Sequence, residues 1–284
     1  MKQICNIFLA ILLLSACTER IDIHTDEAAP KLVIYGKIST DHQRQVVNIT
    51  RSTGYFADGK PEGVHGAEVE VTSSGRTYHF SYAGNGNYVS DANFSGEEGE
   101  TYQLQVRLDF DEDGIQETYE ASSYLPHRIR IDDIRIVPSR IFDQLIEIQL
   151  SADLPEKKDG IANGYNLHFY HNDRALNDSL KNFSTFSDEY INTRRLDTLT
   201  CYYISEKRDD VDLMPQDIIK VRVEVITRDY LEFITDAQNE ISGSMPLFGG
   251  PPANVRTNIR CREKNMPVMG FFTAFSVDEI ATMY

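Results

Sequence analysis

The run from Asp109 to Glu120 sets oxygen-bearing residues at the spacing that calcium loops use. Asp109, Asp111 and Asp113 carry carboxylates at alternate positions, which converge when a chain wraps around an ion. Gly114 permits the sharp turn, Ile115 offers a backbone carbonyl, and Glu117 and Glu120 complete the ligand set. The flanks pull the other way. Leu104–Phe110 and Thr118–Ser122 alternate like the strands of a hairpin, whereas the helix-flanked calcium loop is framed by helices. In a hairpin Asp113-Gly114 reads as a type I′ turn with the other acids solvated. Both readings stand on the sequence: a calcium site that would stiffen the loop, or an acidic turn.

The other chemistry-bearing residues are sparse. His168 and His171 are three apart on a predicted strand, which points them to opposite faces and away from a shared metal. No zinc-protease helix, nucleophile elbow or phosphate loop occurs. Paired carboxylates for glycoside hydrolysis can be assembled from 44 acids only by folding. The chain has 15 tyrosines and 14 phenylalanines but no tryptophan. Most of these rings fall in strand patterns and read as core. Arg51, Tyr55 and Phe56 in one polar stretch, with Arg256 and Asn258 after a Gly-Pro loop, form the expected contact patch.

The start of the chain speaks to location. Ile7–Leu14 is an unbroken apolar run, too short to cross a bilayer as a helix, and it ends in Leu14-Ser15-Ala16-Cys17. Small residues before a cysteine fit a removable secretory signal over 1–16, with Cys17 as the first mature residue and the acceptor of a lipid. The chain carries 28 basic and 44 acidic residues and a formal charge of −16, which argues against nucleic acid as a partner. Such a surface also repels anionic lipid, so residence at a membrane requires the covalent anchor, and multiple acyl chains make that anchor effectively permanent. In an oxidising compartment Cys201 and Cys261 are expected to pair as a disulfide, worth roughly 4 kcal/mol by loop closure.

Residues 17–30 form an acidic tether on which no fold is forced. From Lys31 short alternating runs follow at 32–35, 46–49, 67–71, 77–80, 86–89, 102–106 and 118–121, each bounded by turn residues. They predict an immunoglobulin-like or transthyretin-like β-sandwich over 31–126. A second β-rich domain over 127–284 is expected from runs at 133–137, 145–150, 165–170, 201–204, 219–226 and 269–275. Residues 172–198 read as a long polar excursion between them. One amphipathic helix near 230–241 is marked by Tyr230, Phe233, Ile234, Ala237 and Ile241 on one face, with Asp229 and Glu232 as its capping box.

Several phrases together resemble the uncharacterised lipoprotein family known as domain of unknown function 4249. They are Cys17-Thr18-Glu19-Arg20-Ile21-Asp22, Leu32-Val33-Ile34-Tyr35-Gly36, Val64-His65-Gly66-Ala67-Glu68-Val69 and Gly86-Asn87-Tyr88. The most specific is Gly249-Gly250-Pro251-Pro252-Ala253-Asn254-Val255-Arg256, and the series closes on Gly270-Phe271-Phe272-Thr273-Ala274. The resemblance implies an outer-membrane lipoprotein, frequently encoded beside a TonB-dependent transporter and with no established catalysis. The expectation is therefore a non-enzymatic accessory or ligand-binding protein, on the periplasmic or the cell-surface face. A calcium-stabilised adhesin, a carrier with a deep apolar pocket and a glycan-active hydrolase are the alternatives.

Overall fold

A computed structural model describes residues 30–53, 60–205, 209–242 and 255–284. The protein is mainly β: among the described residues 52% lie in strands, with one α-helix, a large mixed sheet and a small three-stranded sheet. The first seven strands are β1 (Leu32–Ser39), β2 (Val46–Arg51), β3 (Glu68–Ser73), β4 (Arg76–Gly84), β5 (Asn87–Ser90), β6 (Thr101–Leu108) and β7 (Glu117–Tyr124). Each coincides with an alternating run of the sequence. In β1 and β6 every second side chain is buried, as a strand with one face on a core requires.

The later strands are β8 (Arg130–Pro138), β9 (Leu145–Asp153), β10 (Gly164–His171), β11 (Arg174–Ala175), β12 (Ser184–Ser187), β13 (Arg195–Ser205), β14 (Ile218–Ile226), β15 (Arg260–Cys261) and β16 (Val268–Met283). The expected excursion over 172–198 in fact contains β11, β12 and the start of β13. β12 pairs with β10 through Leu167↔Ser184 to Gly164↔Ser187. Its residues Ser184-Thr185-Phe186-Ser187 lack an apolar alternation, and the exposed edge of β10, which a short polar strand can cover, is what recruits them.

The large sheet runs β11-β10-β14-β16-β1-β2-β5-β4-β3-β6-β7-β15, and β13-β9-β8 form the small one. Long β16 joins the two halves. Its residues 268–275 run parallel to β1, and its residues 276–283 pair antiparallel with β14. The sequence boundary near residue 126 thus separates the strands in order along the chain, while the last strand returns between the two groups. Gly270 makes the first pairing feasible: it has φ +95°, and a Cβ there would lie 2.0 Å from the carbonyl oxygen of Ile34.

β1 to β7 wrap one core that includes Ile34, Val47, Val71, Leu104, Val106 and Tyr119, to which Phe272 and Ala274 of β16 also belong. β7 comes back to β16, where the Ala274 amide donates to Ser123 Oγ at 2.9 Å. A second core lies between the small sheet and β10 and β14, around Ile148, Leu150, Phe169, Val221 and Val223. On the opposite face of the large sheet sits helix α1 (Arg228–Ser242), whose Tyr230, Phe233 and Ile234 pack on Phe271, Phe275 and Val277. Its N-cap is Thr227, whose hydroxyl accepts from the Tyr230 amide at 3.3 Å. The expected Asp229–Glu232 box is replaced, because Glu232 is engaged by Arg228 and Arg256.

Candidate functional site

The acidic stretch closes the β6–β7 hairpin, as strand alternation predicts, and its turn is not type I′. Positive φ falls at Glu112 and Gly114 and not at Asp113. Asp109 accepts hydrogen bonds from the amides of Asp113 (3.1 Å) and Gly114 (2.9 Å), and Asp113 from that of Ile115 (2.9 Å). Carboxylate oxygens of Asp109, Asp111 and Glu117 lie within 4.8 Å of one another. Two of these, Asp111 and Glu117, meet a cation supplied by the chain. Lys264 Nζ is 2.8 Å from Asp111, 2.9 Å from Asp113 and 2.5 Å from Glu117. Glu117 has no solvent exposure and also accepts from the Phe110 amide at 3.2 Å. Hydrogen bonding to Asp111, Glu117 and Asp113 raises Lys264 well above the usual lysine range, and the Lys264 hydrogen bond lowers Asp113.

Glu120, the last member of the calcium template, is turned away. On a strand, positions 117 and 120 differ by an odd number and face opposite sides, so Glu117 enters the cluster while Glu120 pairs with Arg262 on the outer face. Sequence reasoning missed Lys264 because nothing local couples residues 109–117 to a lysine after β15. Arg51, the first residue of the expected patch, lies over the Phe110 ring at 4.6 Å and pairs with Glu112 at 3.3 Å, which ties β2 to this hairpin.

The outer face of the same strands forms an open groove. Strand register places His79, Glu70, Gln105, Glu120 and Arg260 side by side across β4, β3, β6, β7 and β15. Thr72, Gln103 and Ser122 form the next row. All of these but His79, together with Asp229, Thr257 and Asn258, line a polar cleft of about 710 Å³. Ser122, Asp229 and Asn258 also border a second cleft, of about 400 Å³, where Tyr124, Lys158, Ile161, Asn163 and Phe271 meet the start of α1. Lys158 Nζ stands 3.7 Å from the Tyr124 ring centroid. The alternating polar positions of β3, β6 and β7 were visible in the sequence, but their alignment into rows is a matter of register.

Asn258 holds the seam beside this groove. Its Nδ2 donates to the carbonyls of Phe272 (2.8 Å) and Ser122 (3.2 Å), and its Oδ1 accepts from the Phe272 amide at 3.0 Å. The side chain therefore serves as a short stretch of strand between β16 and β7. Arg256 is bound to helix α1 through Glu232 and through Asp236 at 2.6 Å. Both side chains are thus engaged within the fold, and Asn258 also lines the two clefts. Tyr55 and Phe56 lie outside the described residues, as does Cys17 with the predicted signal and most of the tether.

The expected disulfide is absent: Cys201 and Cys261 are both free thiols. Cys201 packs against the second core and Cys261 against the first, so the two sulfurs belong to different layers. Burial raises the Cys201 thiol to about 12, and Sγ donates to the Ile148 carbonyl at 3.2 Å. His168 and His171 take separate acids, Glu224 at 3.2 Å and Asp217 at 2.8 Å, in keeping with opposite faces. Burial pushes Glu224 up, but the His168 hydrogen bond and charge outweigh it and leave the carboxyl below its usual range.

The sequence matches the family described as domain of unknown function DUF4249 over residues 18–281. The chain belongs to this family. No curated protein matches it. Among solved structures, a cytokine receptor complex aligns at 12% identity and TM-score 0.26, covering 70% of this chain and 86% of that one. β-Glucuronidase 3 of Bacteroides uniformis aligns at 12% identity and TM-score 0.21, over 68% of this chain and 23% of that one. The adhesin InvE of Yersinia pseudotuberculosis aligns at 14% identity and TM-score 0.18, over 69% of this chain and 55% of that one.

Proposed function

We propose that this DUF4249 protein is a non-enzymatic lipoprotein, anchored to the outer membrane through Cys17, that binds a ligand or partner as an accessory to a TonB-dependent transporter. The observation that carries the binding part is the open groove, whose amide, hydroxyl and charged side chains are aligned by strand register on a rigid face. The Leu14-Ser15-Ala16-Cys17 sequence supports the anchor. A formal charge of −16 supports covalent attachment over adsorption to anionic lipid. The finer fold reading, an immunoglobulin-like or transthyretin-like sandwich over 31–126, is supported by seven consecutive strands that share one core.

Affinity purification from gently solubilised membranes tests the partnership. Recovery of a TonB-dependent transporter with the wild-type chain, weakened by a Gln103→Ala/Gln105→Ala pair in the groove, is the expected result. Failure to recover any transporter, under conditions that recover a known lipoprotein–transporter pair, sinks it. Metabolic labelling with a palmitate analogue tests the anchor, which Cys17→Ser must abolish.

A further inference from the structure

β8 ends the small sheet: β9 pairs with it on one side, and no strand pairs with it on the other. At the start of that outer edge the Ile131 amide donates to Asp278 Oδ2 at 2.8 Å. Beyond it, among the described residues, the backbone groups from Asp133 to Val137 bond only to β9. An unpaired edge is a template for another strand. Ile134 and Ile136 point from it into the second core, and Asp133 and Arg135 point outward. The other charges of the strand are engaged within the sheet, Arg130 with Asp153 and Asp132 with Arg195. Asp133 and Arg135 pair only with each other, at 3.1 Å, on side chains 52% and 63% exposed.

We infer that two copies of this chain join edge to edge through β8, antiparallel, with Ile134 of one copy opposite Ile134 of the other. In that register Asp133 of each copy stands opposite Arg135 of its mate, so the contact holds two cross-strand pairs of opposite charge. The neighbouring registers on the same face set Asp133 against Asp133 or Arg135 against Arg135. The charge order Asp-Ile-Arg is thus self-complementary in one alignment and repulsive in the next, which fixes register as well as partner. A chain of formal charge −16 repels its copy at a distance, so contact is made where the local charge balances, as it does at Asp133 and Arg135. The interface is isologous and closes at two subunits. It turns β13-β9-β8 and its copy into one sheet of six strands and leaves no bare β8 edge.

The test uses the full chain in detergent as wild type, Asp133→Arg, Arg135→Asp and the exchanged pair Asp133→Arg/Arg135→Asp. Sedimentation velocity over a range of concentrations gives the dimer constant, and hydrogen exchange gives its place. The wild type is expected to pass from monomer to dimer, with outward amides between Asp133 and Val137 exchanging more slowly as concentration rises. Each single change sets like charges opposite each other twice and should weaken the dimer about tenfold. The exchanged pair restores both attractions and should recover the wild-type constant. A mixture of the two single variants offers two arginines from one copy and two aspartates from the other, and should form a heterodimer at concentrations where each alone is monomeric. The inference is overturned by a wild type that stays monomeric, by a dimer whose β8 amides exchange at the monomer's rate, or by single variants that associate as the wild type does. A folded exchanged pair that stays monomeric, or an inert mixture, overturns it equally. Should a single variant fail to fold, the wild-type exchange pattern and the exchanged pair decide together.

Discussion

Lys264 and Glu117 are 147 residues apart in the chain, and the lysine donates to the buried carboxylate at 2.5 Å. The bond fastens the segment that follows β15 to the hairpin of the first seven strands. Loss of Glu117 leaves the ammonium and the Phe110 amide without their acceptor. Glu117→Ala is expected to cost about 2–4 kcal/mol in chemical denaturation, and Glu117→Gln, which keeps an acceptor for Phe110, about half of that. Equal losses in the two variants would show that the charge contributes everything and the Phe110 bond nothing.

Gly270 determines whether β16 can lie beside β1. Any side chain there meets the Ile34 carbonyl and must also hold a positive φ. Gly270→Ala is expected to cost about 3 kcal/mol or more, with both cores losing protection together in hydrogen exchange because β16 serves both. Loss confined to β14 and β10 would contradict the shared role of the strand.

Asn258 and Arg256 are neighbours with different work. The amide of Asn258 bridges two strands, so Asn258→Ala should lower stability by about 2–3 kcal/mol. The ion pairs of Arg256 are solvent-exposed, so Arg256→Ala should cost under about 1 kcal/mol, and less in high salt. Urea melts of the two variants side by side check this ordering.

The two thiols should behave as free and unequal. Under non-reducing denaturation both Cys201 and Cys261 should titrate with a thiol reagent, and reductant should leave the melting temperature unchanged. In the native state Cys201 should react far more slowly than Cys261, since its thiol is buried and pushed up to about 12. A melting temperature that falls in reductant would restore the disulfide.

Asp217 gives the fold an acid-sensitive point. The Met214 amide, the Asn172 side chain and His171 all donate to its carboxylate and hold it at about 2, below the ordinary 3.8. A depressed folded-state value stabilises the protein above the unfolded-state value, and the contribution is lost as pH falls from about 4 through 2. Asp217→Asn should therefore lower the melting temperature at neutral pH and flatten its decline in acid; an unchanged acid limb would remove Asp217 from the cause.

The strand positions were legible because each of β1 to β7 carries the two-residue alternation of a half-buried strand, and helix α1 because Tyr230, Phe233, Ile234 and Ala237 recur at helical spacing. Family membership was legible in short phrases that do not depend on packing. β12 escaped notice since it forms by covering an edge, and the Thr227 cap since Glu232 was already committed to arginines. The calcium-like spacing was real, but strand geometry sends Glu120 outward, and tertiary contact delivers Lys264 to the centre.

By itself the sequence determined the mainly β class, helix α1 and the acidic loop, because local periodicity and residue chemistry act over a few positions. Only the tertiary structure decided that β16 unites the two halves, that Cys201 and Cys261 stay apart, that polar rows line up into a groove and that a lysine fills the acid cage. Those outcomes depend on register and on contacts between residues more than a hundred positions apart, and no short-range pattern encodes them.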